Sequence, residues 1–231
     1  MHESENLRFS LHQKIDTFPR NKRQKLEMEF VKNNPNSIVS SSMLAGYSTT
    51  WGKEKTLELF ENLSNENQNS NFGKKISKYM ELNKNPKIGE KFVDFIMPDQ
   101  NGIPKKLSKY KGNTVLLEFW ASWCGPCLQE NLNLVRTYKK FNPKGFHVFA
   151  VSLDEDKESW LKEIQKGNLA WEHVSDLKGR ENEASLIYGI NGIPDNFLIN
   201  KNGEIIGRNL RGEELNKKLE EIILVNNEAH N

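Results

Sequence analysis

Two hydrophobic rhythms divide the chain near residue 87. Before it, apolar residues recur at helical spacing and polar turns separate the stripes. Leu26, Phe30 and Val31 form one stripe, which stops at Asn33-Asn34-Pro35. Ser37 stands where a cap would precede a short helix carrying Val39, Met43 and Leu44. Leu57, Phe60 and Leu63 make a third stripe; Phe72, Ile76, Tyr79 and Met80 make a fourth. Residues 65–71 read as a polar loop and residues 83–87 as a linker. The pattern predicts a small all-helical region over residues 1–87.

From Ile88 the grammar changes. Residues 92–96 read as extended and residues 99–102 as a turn. Residues 115–120 form a short, nearly continuous apolar run, as expected of a central strand buried on both faces. Leu128, Leu132, Val135 and Tyr138 then mark one side of a helix. Residues 148–153 read as a second buried strand, and Trp160, Leu161 and Ile164 belong to a helix after it. Residues 196–199 and 204–206, joined through Lys201-Asn202-Gly203, read as a hairpin with an Asn-Gly turn. Leu215, Leu219, Ile222 and Ile223 give a closing amphipathic helix. The order β-α-β-α-β-β-α predicts an α/β domain over residues 88–231, a mixed sheet flanked by helices. No internal repeat is present.

Composition narrows the function classes. At 231 residues the chain can bury a sizeable core in one or two domains. It is 36% hydrophobic and 28% charged, with a mean hydropathy of −0.73. The formal net charge of +2 is too small to argue for nucleic acid. The basic run Arg20-Asn21-Lys22-Arg23-Gln24-Lys25 reads as a solvated helix face. No apolar stretch approaches a membrane span. The opening residues Met1-His2-Glu3-Ser4-Glu5-Asn6 lack the apolar run of a signal peptide, which leaves a cytoplasmic home open without establishing it. No Gly-rich phosphate loop occurs. Asp154-Glu155-Asp156 lacks the Gly and distal Glu of a calcium loop and fits acids at a helix start.

The chemistry concentrates in FWASWCGPC, residues 119–127, which holds both cysteines of the chain. A CxxC pair serves as half a zinc site, as a metal-carrier site or as a redox dithiol. Structural zinc needs two further Cys or His ligands at fixed spacing. No third cysteine exists, and the five histidines are scattered, so no metal site is expected. His147 and His173 read as strand-associated, partly buried residues. The redox reading fits the local physics. A strand ends near Trp120 and a helix starts around the CxxC. Cys124 would then sit at a helix N-terminus, where unpaired N–H groups favour the thiolate. Cys127 would lie one turn deeper on the same face. Pro126 suits a first helical turn, and Gly125 permits a tight approach. On this reading Cys124 attacks a substrate disulfide and Cys127 resolves the mixed disulfide.

FWASWCGPC, in that strand-to-helix setting, resembles the active-site segment of thioredoxin-like oxidoreductases. Gly192-Ile193-Pro194, before the hairpin strand, is similar to that family's cis-proline loop, which presents backbone to substrate. The opening 88–95, the stretch 107–112 and the insert 154–177 resemble the TlpA/ResA branch, mostly reducing and exported proteins. The likeness covers about residues 88–226. Residues 1–87 resemble the segment before that domain in larger envelope lipoproteins, whose β-rich domain and lipobox do not occur in this sequence.

The resemblance implies a thioredoxin-like fold and a protein-disulfide reductase of the periplasm or cell envelope. It implies no cofactor beyond the Cys124–Cys127 couple. The partners implied are a disulfide-bearing protein and an electron-donating dithiol reductase. Glu118 matches the family's buried acid, which takes the proton of the resolving cysteine. Glu130 matches the active-site glutamate of the ResA group. Trp123, Gly125, Pro126, Ile193, Pro194 and Asp195 are expected to line the substrate site. Asp195 departs from the pattern, because relatives usually carry a small neutral residue there. It is expected to stand near the Cys124 sulfur and oppose its thiolate, or else to point away and cap backbone. The rival outside enzymology is a copper carrier using the same two thiols. A thiol peroxidase is disfavoured, since Ser122 and Trp123 stand where Pro and Thr motifs would be needed.

Overall fold

The computed structural model describes residues 19–228. One compact unit ends at Asn83 and a second begins at Lys84. The first unit holds helices α1 (Arg20–Asn33), α2 (Ile38–Trp51), α3 (Lys53–Asn62), α4 (Asn65–Asn69) and α5 (Asn71–Leu82). Ser37 caps α2, its hydroxyl accepting from the Val39 amide, and Ser64 and Ser70 cap α4 and α5 in the same way. Val31, Val39, Met43, Leu44, Trp51, Leu59, Leu63 and Ile76 form the core. Buried Ser40, Ser41 and Ser48 keep α2 slim. The hydroxyls of Ser41 and Ser48 donate to carbonyls one turn back, so no polar group is stranded by their burial.

The polar stretch 65–71 is not a loop. It holds α4 and opens α5, and Asn67 within it is buried. The Asn67 amide donates to the carbonyls of Pro35 and Ser37 at 2.8 and 3.0 Å, fastening α4 to the α1–α2 turn. Gly73 allows the close approach that follows, since a Cβ there would lie 2.0 Å from the Gln68 carbonyl oxygen. Leu57, expected in the core, is 43% exposed, and Leu59 fills that place. The helix rotates a turn's fraction to bury Thr56 with Leu59.

The second unit is built on a five-stranded sheet of order β5-β4-β3-β6-β7. Its strands are β3 (Thr114–Trp120), β4 (Phe146–Ser152), β5 (Glu172–Val174), β6 (Asp195–Ile199) and β7 (Ile205–Arg208). A separate hairpin, β1 (Ile96–Pro98) with β2 (Pro104–Lys106), precedes them. β3 runs parallel to β4 and antiparallel to β6, and every residue from Val115 to Trp120 is buried. Helices α6 (Gly125–Phe141), α7 (Lys157–Lys166), α8 (Glu183–Tyr188) and α9 (Gly212–Glu228) flank this mixed sheet. This is the expected fold class. Ile223, assigned to the last helix from its spacing, has a side chain outside those described.

Three expectations change. β5 and α8 were absent from the expected order. Regular strand starts at Ile96, and residues 92–95 are irregular, held instead by Tyr188, whose hydroxyl donates to the Val93 carbonyl and accepts from its amide. Residues 84 and 85 of the expected linker donate their amides to the Ile187 carbonyl at 3.0 and 2.9 Å and so belong to the second unit. Among the described residues no helix is long and apolar enough to cross a membrane.

Asn67→Ala would leave the carbonyls of Pro35 and Ser37 without this donor, a loss of about 1–3 kcal/mol for buried groups. Amide exchange across α2 and α5 is therefore expected to quicken, and unchanged protection there would show that the two bonds add nothing.

Candidate active site

β3 ends at Trp120, and a turn of three residues leads to Cys124, the N-cap of α6. The Cys124 amide donates to the Ala121 carbonyl at 3.1 Å, which closes the turn. The Cys127 amide points at the Cys124 sulfur at 3.2 Å. The cysteine thus fills the role that Ser or Asp takes at other helix starts, with an N–H of the first turn aimed at its side chain. Pro126 lies in that first turn. The two cysteines form a disulfide with an S–S distance of 2.02 Å and a Cα–Cα distance of 5.2 Å. Cys124 is 5% exposed and Cys127 1%, so the oxidised pair is recessed and the first cysteine is only slightly more accessible than the second. Trp123 beside it is 64% exposed. A Cβ on Gly125 would meet nothing within 4 Å, so no close contact inside the chain requires glycine there, against the expectation.

The antiparallel register of β3 with β6 pairs Phe119 with Asp195 and Glu118 with Asn196. Continued by one residue, it carries the Ile193–Pro194 turn to the end of the sheet from which the CxxC turn departs. The Ile193–Pro194 bond is cis.

Glu118 is 3% exposed, and its Oε2 has no hydrogen-bond partner among the described residues. Burial pushes its carboxyl well above the usual carboxylate range. The charges of Glu130 and Asp195 push the same way, while a hydrogen bond from Asn196 and the Arg211 guanidinium oppose them. Glu130 is not a free helix acid. One oxygen accepts from the Gly212 amide and the other from the Asn133 side chain, both at 3.1 Å. It ties α6 to the first residue of α9.

Asp195 is buried and turned to Arg208, which donates to both its oxygens at 3.1 and 2.7 Å. The guanidinium also lies 4.6 Å over the Phe197 ring. Among the described residues Asp195 is seen to cap no backbone group, and a bidentate partner that the expectation did not include faces its charge. The pairing spans the β6–β7 hairpin and leaves no local signal in sequence.

Two further groups escaped the sequence. Asp154, expected at a helix start, is buried at the end of β4; Asp156 is the residue that caps α7. Asp154 accepts from the Ser122 amide at 3.0 Å, from the Ser122 hydroxyl and from the Ser152 hydroxyl, pinning the turn before Trp123. Arg211 donates to the Pro194 carbonyl and, at 3.2 Å, to Asn209. His173, expected to be partly buried, is fully buried between Trp120 and Trp171, and burial takes its imidazole down to about 3. His147 sits on β4 and is partly buried. Among the described residues no three His, Cys, Asp or Glu side chains gather in a way that could hold a metal ion.

Comparisons with known proteins agree with this geometry. The model of the Redoxin family matches residues 87–223. The thiol-disulfide oxidoreductase ResA of Bacillus cereus is 30% identical over 145 residues, 63% of this chain and 82% of that protein. ResA of Geobacillus kaustophilus is 33% identical over 138 residues, 58% of this chain and 78% of that protein. Among solved structures, the thioredoxin domain of a Bacteroides vulgatus thiol-disulfide oxidoreductase superposes with a TM-score of 0.56 at 30% identity, covering 60% of this chain and 99% of that one. A thiol-disulfide oxidoreductase from Bacteroides fragilis gives 0.55 at 34% identity, over 58% and 99%. With a cysteine pair at the start of α6, a cis proline at the same end of the sheet and these relatives, the chain belongs to the redoxin family as a ResA-like thiol-disulfide oxidoreductase.

Proposed function

We propose that this oxidoreductase works as a reductant of protein disulfides in the cell envelope, with Cys124 attacking and Cys127 resolving. The observation that carries the reading is the placement of Cys124 as the cap of α6, at the end of the sheet that also bears the cis Ile193–Pro194 turn. The exported, reducing character of the TlpA/ResA branch, which the sequence resembles, supports the direction and the compartment.

In the reduced protein the Cys124 thiolate is favoured by the Cys127 amide and the positive end of the α6 dipole. It attacks one sulfur of the substrate disulfide. A Cys124–substrate disulfide forms, and the other substrate sulfur leaves as a thiolate that takes a proton. Cys127 then loses its proton to Glu118, attacks the Cys124 sulfur and expels the second substrate thiolate. Two electrons pass to the substrate, and the Cys124–Cys127 disulfide remains. A partner dithiol, such as that of a membrane reductase, must return those electrons. The electron carrier is the dithiol itself, so the reaction requires no bound cofactor. Exposed Trp123, Gly125 and Pro126 on one side and Ile193 with Pro194 on the other form the surface on which substrate backbone would lie. Glu130 contributes through Glu118, raising the proton affinity of its carboxyl, and through the anchoring of α9.

The division of labour predicts that Cys127→Ser accumulates mixed disulfides with substrate and Cys124→Ser accumulates none. Non-reducing electrophoresis reads this directly. Alkylation of the reduced protein should label Cys124 first; faster labelling of Cys127 would reverse the assignment.

Glu118 becomes a base only as pH rises through its elevated value, so resolution should accelerate with pH across that range. Glu118→Gln should remove this acidic limb and slow resolution by ~10²-fold or more, typical of lost general-base catalysis. An unaltered rate and profile would leave Glu118 without a part in proton transfer.

Direction is tested by the reduction potential of the dithiol. A value near thioredoxin's, ~−270 mV, is expected for a reductant, and one near DsbA's, ~−120 mV, would make the protein an oxidant.

A further inference from the structure

We infer that Arg211 is a positioning residue for the resolving step, joining the cis-proline turn to the buried Glu118 carboxyl. The inference rests on the reading of Glu118 as the base. It concerns a residue that lies outside the CxxC segment and reaches the site from the connection between β7 and α9.

That connection, residues 209–212, is clamped at every residue. The Asn209 amide donates to the Asn196 carbonyl at 3.0 Å. Leu210 is gripped by the Asn196 side chain, which accepts from its amide at 3.1 Å and donates to its carbonyl at 2.9 Å. The Gly212 amide is held by Glu130 of α6 at 3.1 Å. Between these, Arg211 donates to the Pro194 carbonyl and to Asn209. The cis-proline turn and the helix that carries both cysteines thus meet through adjacent residues, Arg211 and Gly212. Three fixed chain neighbours and the bond to the Pro194 carbonyl leave the guanidinium little freedom, so its charge stays where it is put.

Its charge has an object. The Arg211 Nε is buried and has no hydrogen-bond partner among the described residues, and the same holds for Glu118 Oε2. Asn196, which grips Leu210, is also the cross-strand partner of Glu118 on β6. The groups that act on Glu118 come from three sides: Asn196 and Asp195 of β6, Glu130 of α6, and Arg211. Asp195 is engaged by Arg208, and Glu130 by Gly212 and Asn133. Arg211 is the cation among them that is not committed to a carboxylate partner. A base buried this deeply needs some compensation to ionise at all, because a carboxylate in a low-dielectric site is costly without a nearby positive charge. Arg211 supplies it. The same side chain fixes the carbonyl of Pro194, so the turn expected to hold substrate and the base expected to act on Cys127 share one arginine.

The test is single-turnover resolution of a mixed disulfide, followed against pH in the full chain. Arg211→Met removes the cation. The acidic limb of the resolution rate should move to higher pH, and at a fixed pH on that limb the rate should fall by about threefold to tenfold. Arg211→Lys retains charge and should hold the limb near its original pH, while the looser grip on the Pro194 turn raises KM for the disulfide substrate. Thermal unfolding of each variant separates these effects from instability, which would lower the amount of active protein without moving a pH limb. Glu118→Gln serves as the reference. If it abolishes the limb while Arg211→Met leaves the limb in place, the inference on Arg211 fails and the role of Glu118 stands. If the limb survives Glu118→Gln, both fall. Should Arg211→Met prove too unstable to assay, a limb displaced in Arg211→Lys as far as in Arg211→Gln would overturn the proposal equally well.

Discussion

The arrangement of the second unit depends on β3 lying at the centre of the sheet, buried on both faces from Val115 onward. A strand in that position must satisfy its backbone on both sides, parallel to β4 and antiparallel to β6, and both registers are consequently fixed. Everything the chemistry uses is hung from those two registers. The parallel one sets Trp120 against Ser152, so that Asp154, two residues on, can grip Ser122 and hold the turn that delivers Cys124 to the start of α6. The antiparallel one sets Glu118 against Asn196 and brings the cis proline to the same end of the sheet.

The electrostatics around this end of the sheet are a matter of who is paired with whom. Two carboxyl groups, Glu130 and Asp195, act on a third, Glu118, there. Asp195 has Arg208 as a bidentate partner, and Glu130 accepts from the Gly212 amide and the Asn133 side chain. Glu118 has burial and two anionic neighbours against it, so the cost of concentrating negative charge falls on that one group. A carboxyl whose ionisation is opposed in this way binds its proton more tightly than an exposed one, the property that the proposed acceptor of the Cys127 proton would use.

How much of this could be read in the chain depends on range. The apolar run 115–120, the Ser37 cap and the Cys-Gly-Pro-Cys helix start are local patterns, and local physics forms them. The cis proline turn was legible only through family resemblance. β5 was invisible because it has three residues, two of them polar; it forms because Val174 finds Val151, and because Glu172 finds Lys105, Lys109 and the Tyr110 hydroxyl. The partners that decided the fate of Asp195, Asp154, Glu130 and Asn67 stand 13, 32, 82 and 32 residues away in sequence. Nothing in the spacing of polar residues announces such meetings. They were found where the fold had already folded the chain back on itself.

The empty space above Gly125 and Gly192 has an implication for descent. A Cβ at either position would touch no atom within 4 Å, and both residues are exposed on the two segments that bracket the disulfide. Side chains could be added there without disturbing a packed neighbour, whereas the groups behind the disulfide are locked into one another. Variation therefore has a free register and a closed one in the same few ångströms of protein. Lineages could re-dress the face that clients meet while inheriting the proton and electron machinery untouched, which is how one redox scaffold can come to serve many different clients.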